Sequence, residues 1–326
     1  MKTLLTLALA AIAATAAAQI PAGITEREVT FPTDGLKAPG TLTLPQSKTK
    51  LPILVLVQGS GSQDRDELIG ANKVFQQLAW ALAEKGIITL RYDRRPKFDL
   101  ASFKAHPDLD HEVVIDAANA LAFAATVPEA DPHRVFLCGH SLGAQLAPDT
   151  VARRIAQQPN SVRGMILLAG IARPADVVID AQVHTLGKAQ GGTPEQLDAI
   201  AAQWKAVFDA ARDPNTPADK PIGVGAKVPV GYWRDWLNRN PVPALQKLRL
   251  PTLTLRGLAD VNSLHDDFEI LVLAANAPGS SSAELPGLNH LFMPVTGPVD
   301  GSDVKKPGQI SPQVIDIIAN WVATLK

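Results

Sequence analysis

Apolar residues fall along this chain in two rhythms. Thr25 to Phe31 and Ala38 to Leu44 alternate apolar and polar positions around Thr33-Asp34-Gly35, which predicts two antiparallel strands joined by a tight turn at a sheet edge. Ile53 to Val57, Ile87 to Leu90, Val135 to Leu137, Met165 to Leu168 and Thr252 to Leu255 are instead continuous, largely β-branched runs. That is the pattern of strands buried on both faces of a parallel sheet. Between them, Val74 to Glu84 and Glu112 to Ala125 carry apolar residues three and four apart, which predicts helices. Strand and helix alternate, so the expected class is α/β, with a mostly parallel central sheet, helices on both faces and ligands at the carboxyl ends of the strands.

The alternation breaks between Gly170 and Leu248, where about 75 residues intervene, far more than a crossover needs. Residues 171–245 therefore read as a helical cap inserted into a core made of 19–170 and 246–326. Inside the cap, Thr193-Pro194-Glu195-Gln196 is a capping box with proline at the first helical position. It introduces the apolar stripe Leu197, Ile200, Ala201, Trp204, Val207, Phe208 and Ala211, so one helix is expected there. Asp213 to Pro217 closes it, and Lys220 to Pro229 reads as loop.

Composition changes the picture in three ways. Lys2 followed by an apolar run from Leu4 to Ala16-Ala17-Ala18 has the form of a secretory leader, so residues 1–18 are set apart and export to a periplasm or the medium is expected, with no stable membrane anchor. The chain has 31 basic and 32 acidic residues, which gives no reason to expect nucleic acid as a partner. A single cysteine, Cys138, excludes an intrachain disulfide and leaves stability to the core.

The chemistry centres on Val135-Phe136-Leu137-Cys138 running into Gly139-His140-Ser141-Leu142-Gly143 and then a helix-compatible Ala144 to Gln157. A strand, a sharp turn and a helix lift a serine hydroxyl above the sheet, where a base can take its proton. Flanking glycines suit a turn in which any side chain would crowd the backbone. Pro148, read as inside that helix, is expected to kink it near Ala144 at a cost of about 3 kcal/mol. His140 is assigned to packing.

On these residues the chain resembles the α/β-hydrolase fold family, and more narrowly the bacterial exported esterases related to serine aminopeptidases. Gln58-Gly59-Ser60-Gly61-Ser62-Gln63-Asp64-Arg65-Asp66, Arg91-Tyr92-Asp93 and Gly-His-Ser-Leu-Gly carry the narrower likeness. It departs at Pro96, which follows Arg95 where that group usually has a glycine nearby. The resemblance implies a triad in the chain order serine, acid, histidine. Asp260 lies in a glycine-opened loop after Leu253-Thr254-Leu255, with Asp266 and Asp267 as alternatives, and His290 follows a short strand and turn ending at Asn289. Ser141 is thus the expected nucleophile, His290 the general base and Asp260 the orienting acid. Oxyanion donors are expected from the backbone of Leu142, which follows the nucleophile, and of Ser60, with Gly59 and Gly61 allowing close approach to substrate.

This machinery implies hydrolysis of a small-molecule carboxylic ester through an acyl-enzyme, without cofactor or metal; His265-Asp266-Asp267 lacks a spaced ligand set. Tyr232 and Trp233 are the cap aromatics assigned to substrate, while Trp204 and Phe208 are assigned to packing. Two alternatives stay open. A small-peptide aminopeptidase would use Asp176, Asp180 or Glu195 to hold an amine, and a binding protein would keep the fold without its chemistry.

Overall fold

The computed structural model describes residues 19–61 and 63–325; the expected leader, residues 1–18, lies outside them. Strands β1 (Ile24–Thr33) and β2 (Leu36–Pro45) form the expected hairpin, and Asp34 and Gly35 both take positive φ, 49° and 75°. Two such residues give the turn whose twist matches that of the flanking strands. The chain continues through β3 (Leu51–Val57), β4 (Ile88–Tyr92), β5 (Ala130–His140), β6 (Gly164–Leu168), β7 (Thr252–Gly257) and β8 (Ser281–Leu285). These eight make one sheet in the order β1-β2-β4-β3-β5-β6-β7-β8, antiparallel at β1, β2 and β4 and parallel from β4 onward.

Each face of the sheet is covered. Leu54 and Leu56 of β3, with Phe136, Cys138 and Ile166, pack against helices α1 (Val74–Glu84) and, near the C-terminus, Pro312–Thr324. Ile53, Val55 and Val57 point the other way, into a second cluster with Val135, Leu137 and Met165 beneath α2 (Ile115–Ala124). The period of two explains why these runs are apolar throughout: each fully buried side chain stabilises the fold by about 1.5–3 kcal/mol. From β3 the chain turns to β4 on one side and returns to β5 on the other. The carboxyl ends of β3 and β5 therefore flank a crevice of the kind where α/β sheets hold ligands.

After β5 come α3 (Leu142–Gln145) and α4 (Ala147–Gln157). Here the expected kink takes another form. The helix divides at Leu146, so Pro148 falls in the first turn of α4, where its missing N–H has no partner to lose and the expected cost does not arise.

The insertion after β6 holds four helices where the stripe pointed to one: α5 (Ala175–Ala189), α6 (Pro194–Arg212), α7 (Val230–Leu237) and α8 (Pro241–Leu248). The capping box of α6 is formed in both directions, Thr193 Oγ1 accepting from Gln196 N and Gln196 Oε1 from Thr193 N. Of its stripe, Leu197, Val207, Phe208 and Ala211 are buried, whereas Ile200 is exposed. The stretch read as loop contains a two-residue ribbon, Pro221–Ile222 against Val228–Pro229. Helix α8 runs past residue 245 and packs on α4 and on α9 (His265–Ala274), so its last turn joins the core scaffold. Among the described residues no helix is long and apolar enough to cross a membrane.

Candidate active site

Ser141 sits between β5 and α3 with φ +52° and ψ −116°, a region a non-glycine residue seldom occupies. Its N–H is held by the carbonyl of Leu168 at the end of β6, 2.9 Å away. The glycines on either side are required sterically: a Cβ at Gly139 would lie 2.3 Å from the Gly143 carbonyl oxygen, and one at Gly143 would lie 2.2 Å from the Val57 oxygen. The turn is thereby pressed against the end of β3.

Asp260 follows β7 with its side chain fully buried. Its Oδ1 accepts from the N–H groups of Asn262 (2.7 Å) and Ser263 (3.0 Å), and its Oδ2 faces His290 Nδ1 at 2.8 Å. Burial pushes the carboxyl up, but the charge and hydrogen bond of His290 and the two backbone donors outweigh it and hold Asp260 below the ordinary carboxylate value. With Nδ1 committed to Asp260, Nε2 is the His290 nitrogen left for proton transfer. The loop carrying His290 is fixed from both ends. Ala259 N donates to the Leu288 carbonyl at 2.9 Å, a contact that needs Gly257, since a Cβ there would lie 2.2 Å from the Leu288 oxygen. Beyond the histidine, Asn289 Oδ1 accepts from Leu291 N and Met293 N.

Residues 58–61 leave β3 beside this turn. Gly61 has φ +96°, and the buried Arg94 holds the loop by donating to the carbonyls of Gln58 (2.9 Å) and Gly61 (3.0 Å). Gly59 donates its N–H to Glu67 Oε1 at 2.6 Å, and Ser60 is exposed at the edge. A cavity of about 290 Å³ opens here, and Gly59, Ser60, Ser141 and His290 line it together with Gln182 of α5 and Asn262. Leu142 is buried at the start of α3. The structure thus brings Ser141, His290, Asp260, Gly59 and Ser60 to one end of the sheet, with Gly61 exposed next in the loop and Leu142 buried at the start of α3.

Tyr232 and Trp233 are placed elsewhere. Both are buried in an aromatic cluster with Trp204, Phe208 and Trp236, where Trp233 Nε1 bonds the Ile222 carbonyl at 3.1 Å. The Tyr232 phenol faces Glu112, which pairs with Arg94 at 3.4 Å, and burial beside that carboxylate pushes the phenol well up. Tyr232 therefore meets the core behind the loop at residues 58–61, and the cap side chain that reaches the cavity is Gln182, bonded to the Asn262 carbonyl at 2.7 Å. Asp176, Asp180 and Glu195 do not line this cavity, and Glu195 is exposed. Asp267 accepts from Ala172 N and Arg173 N and pairs with Arg173, Asp266 pairs with Arg173, Asp176 pairs with Arg212, and Asp180 lies 3.7 Å from His184.

Three residues of the site had no sequence signal of their own. Glu67 stands at the end of a charged run, Asp64-Arg65-Asp66-Glu67, that has the composition of a solvated turn, yet it is completely buried. Arg94 and Gln182 likewise have the residue types of surface positions. His140, assigned to packing, is instead bonded at both ring nitrogens, to Glu67 Oε1 and to the His290 carbonyl, each 2.9 Å away.

Residues 54–299 match the family described as the alpha/beta hydrolase family. The chain belongs to that family. Among curated proteins, Esterase EstD of Thermotoga maritima is 31% identical over 311 residues, which are 93% of this chain and 68% of that protein. Solved structures that share the fold include a hyperthermophilic esterase from the archaeon Pyrobaculum calidifontis, with 14% identity, a TM-score of 0.57 and coverage of 92% of this chain and 83% of that one. Est1E from Butyrivibrio proteoclasticus superposes with a TM-score of 0.57 at 15% identity, covering 91% of this chain and 98% of its own.

Proposed function

We propose that this alpha/beta hydrolase is a serine esterase that cleaves small carboxylic esters through an acyl-enzyme on Ser141. The observation that carries the reading is the buried Asp260 bonded at 2.8 Å to His290, whose ring shares one cavity with a serine held in a strained turn. Likeness to an esterase over 93% of the chain supports the ester as substrate. In the first step Ser141 Oγ bonds to the acyl carbon as His290 Nε2 takes its proton. The charge forming on the carbonyl oxygen faces the N–H groups of Leu142 and Ser60. His290 then gives the proton to the departing alcohol, and a water activated by the same nitrogen releases the acid. A cavity near 290 Å³ is at the small end for ligand sites, which favours short acyl chains.

The test is turnover of 4-nitrophenyl acetate, butyrate and palmitate beside aminoacyl 4-nitroanilides, with Ser141→Ala as control. The reading expects the butyrate or acetate to be the best substrate and activity to vanish in the variant. A marked preference for the anilides replaces it with a peptidase. We also propose export, on the strength of the leader-like residues 1–18. N-terminal sequencing of the protein recovered outside the cytoplasm should start at Gln19, and a start at Met1 contradicts it.

A further inference from the structure

Beside the nucleophile, on the wall of the same cavity, lies a second histidine and carboxylate pair to which the triad assigns no role. Glu67 and His140 are both essentially inaccessible to solvent. Glu67 Oε1 accepts the Gly59 N–H at 2.6 Å and faces His140 Nδ1 at 2.9 Å, and His140 Nε2 lies 2.9 Å from the backbone carbonyl of His290. A carbonyl can only accept, so Nε2 carries a proton. The Glu67 oxygen that accepts from Gly59 also meets Nδ1, so both ring nitrogens of His140 are engaged and a single oxygen ties the Gly59 loop to the ring. The chain of bonds thus runs from the loop after β3 to the loop after β8, passing beside Ser141.

Local backbone supports this use. Glu67 has φ +50°, with its N–H bonded to the Asp64 carbonyl at 3.0 Å, so the chain is wound into an unfavourable conformation that turns a carboxylate inward. A Cβ at Gly59 would lie 3.2 Å from Glu67 Oε1 and 3.2 Å from the Ser141 Cβ, which puts the carboxylate and the nucleophile on either side of one glycine. Among the described residues Glu67 Oε2 has no protein partner, so the bonding of this buried acid rests on Oε1.

We propose that Glu67 and His140 are positioning residues that lock the oxyanion loop and the loop of the general base into one frame, so that the donor at Ser60 and the imidazole of His290 stay in register with Ser141. This rests on the esterase reading above. Displacing either loop by a fraction of an ångström misaligns groups that act only in the transition state, so turnover falls while ground-state binding is little affected.

The experiment compares wild type with Glu67→Asp, His140→Asn and His140→Gln. The aspartate keeps the charge but is too short to reach Gly59 and His140 together. Asparagine places its amide where Nδ1 was and loses the His290 carbonyl, whereas glutamine reaches that carbonyl and loses Glu67. Each protein is assayed for kcat and KM on 4-nitrophenyl butyrate, for affinity toward a trifluoromethyl ketone analogue that forms an oxyanion adduct, and for its melting temperature. The expected result is a fall in kcat of about 10²-fold with KM little changed, a parallel loss of ketone affinity and melting close to wild type. Folded variants with wild-type kcat overturn the proposal. So does a collapse of melting in all three, because a pair that chiefly holds the fold together is not a positioning device. A folded wild type that neither turns over ester nor reacts with a fluorophosphonate overturns the esterase reading instead.

Discussion

Asp260 illustrates how tightly single atoms constrain this site. Its Oδ1 is saturated by the Asn262 and Ser263 N–H groups, so in Asp260→Asn the amide oxygen keeps that position and the NH₂ is forced toward His290 Nδ1. The imidazole then holds its proton on Nε2, where it cannot accept one from Ser141. Steady-state assay should show kcat reduced by about 10³- to 10⁴-fold with little change in melting temperature. His140 carries a different signature. Burial pushes its ring toward neutrality, yet the charge and hydrogen bond of Glu67, with the bond to the His290 carbonyl, outweigh this and raise it above the ordinary 6.5. A raised imidazole contributes stability that is complete below 6.5 and is lost as pH climbs through the folded-state value. Thermal melts between pH 6 and 9 should therefore decline more steeply in wild type than in His140→Gln. At this scale Ser141, Asp260 and His290 were legible because their motifs follow strand ends. Glu67 and Arg94 were not, because a buried charge has the same letter as a solvated one and only the fold supplies its partner.

Elements were legible where one physical signal dominates. The hairpin announced itself through Asp34-Gly35, the two residues a primed turn demands, and α6 through Thr193 and Gln196. The nucleophile turn was legible through Gly139 and Gly143, and it gives a sharp prediction. In Gly143→Ala the new methyl group meets the Val57 carbonyl at 2.2 Å with only backbone to yield, so denaturant titration should show a loss of about 3 kcal/mol or more, or no folded protein. Pro148 was misplaced because a one-residue break at Leu146 has no letter of its own. Helices α5, α7 and α8 were missed because about 75 residues of insertion offered one strong cap signal, while Tyr232 and Trp233, in the short helix α7, were read as ligand contacts.

Over the whole molecule, the sheet does the positioning and the cap closes on it through a seam of named bonds. Trp236 Nε1 donates to Gln145 Oε1 at 2.8 Å just after the nucleophile, Gln182 reaches the acid loop, and Tyr232 stands over Glu112 and Arg94 behind residues 58–61. If Tyr232 braces the loop from behind, Tyr232→Phe should lower kcat on 4-nitrophenyl butyrate by roughly 3- to 10-fold at unchanged KM. A rise in KM alone would return the residue to the substrate pocket. The α/β class and the strand sequence were legible because buried runs alternate with helices, whereas the seam was not, since its bonds join residues 80 and 91 positions apart. The central claim, that remote residues converge to make one hydroxyl reactive, has a direct measurement. Purified protein is treated with a fluorophosphonate and the adduct located by peptide mass spectrometry. The account predicts one label per chain, on Ser141, lost in His290→Ala. A well-folded protein that takes up no label, or takes it on another residue, would contradict it.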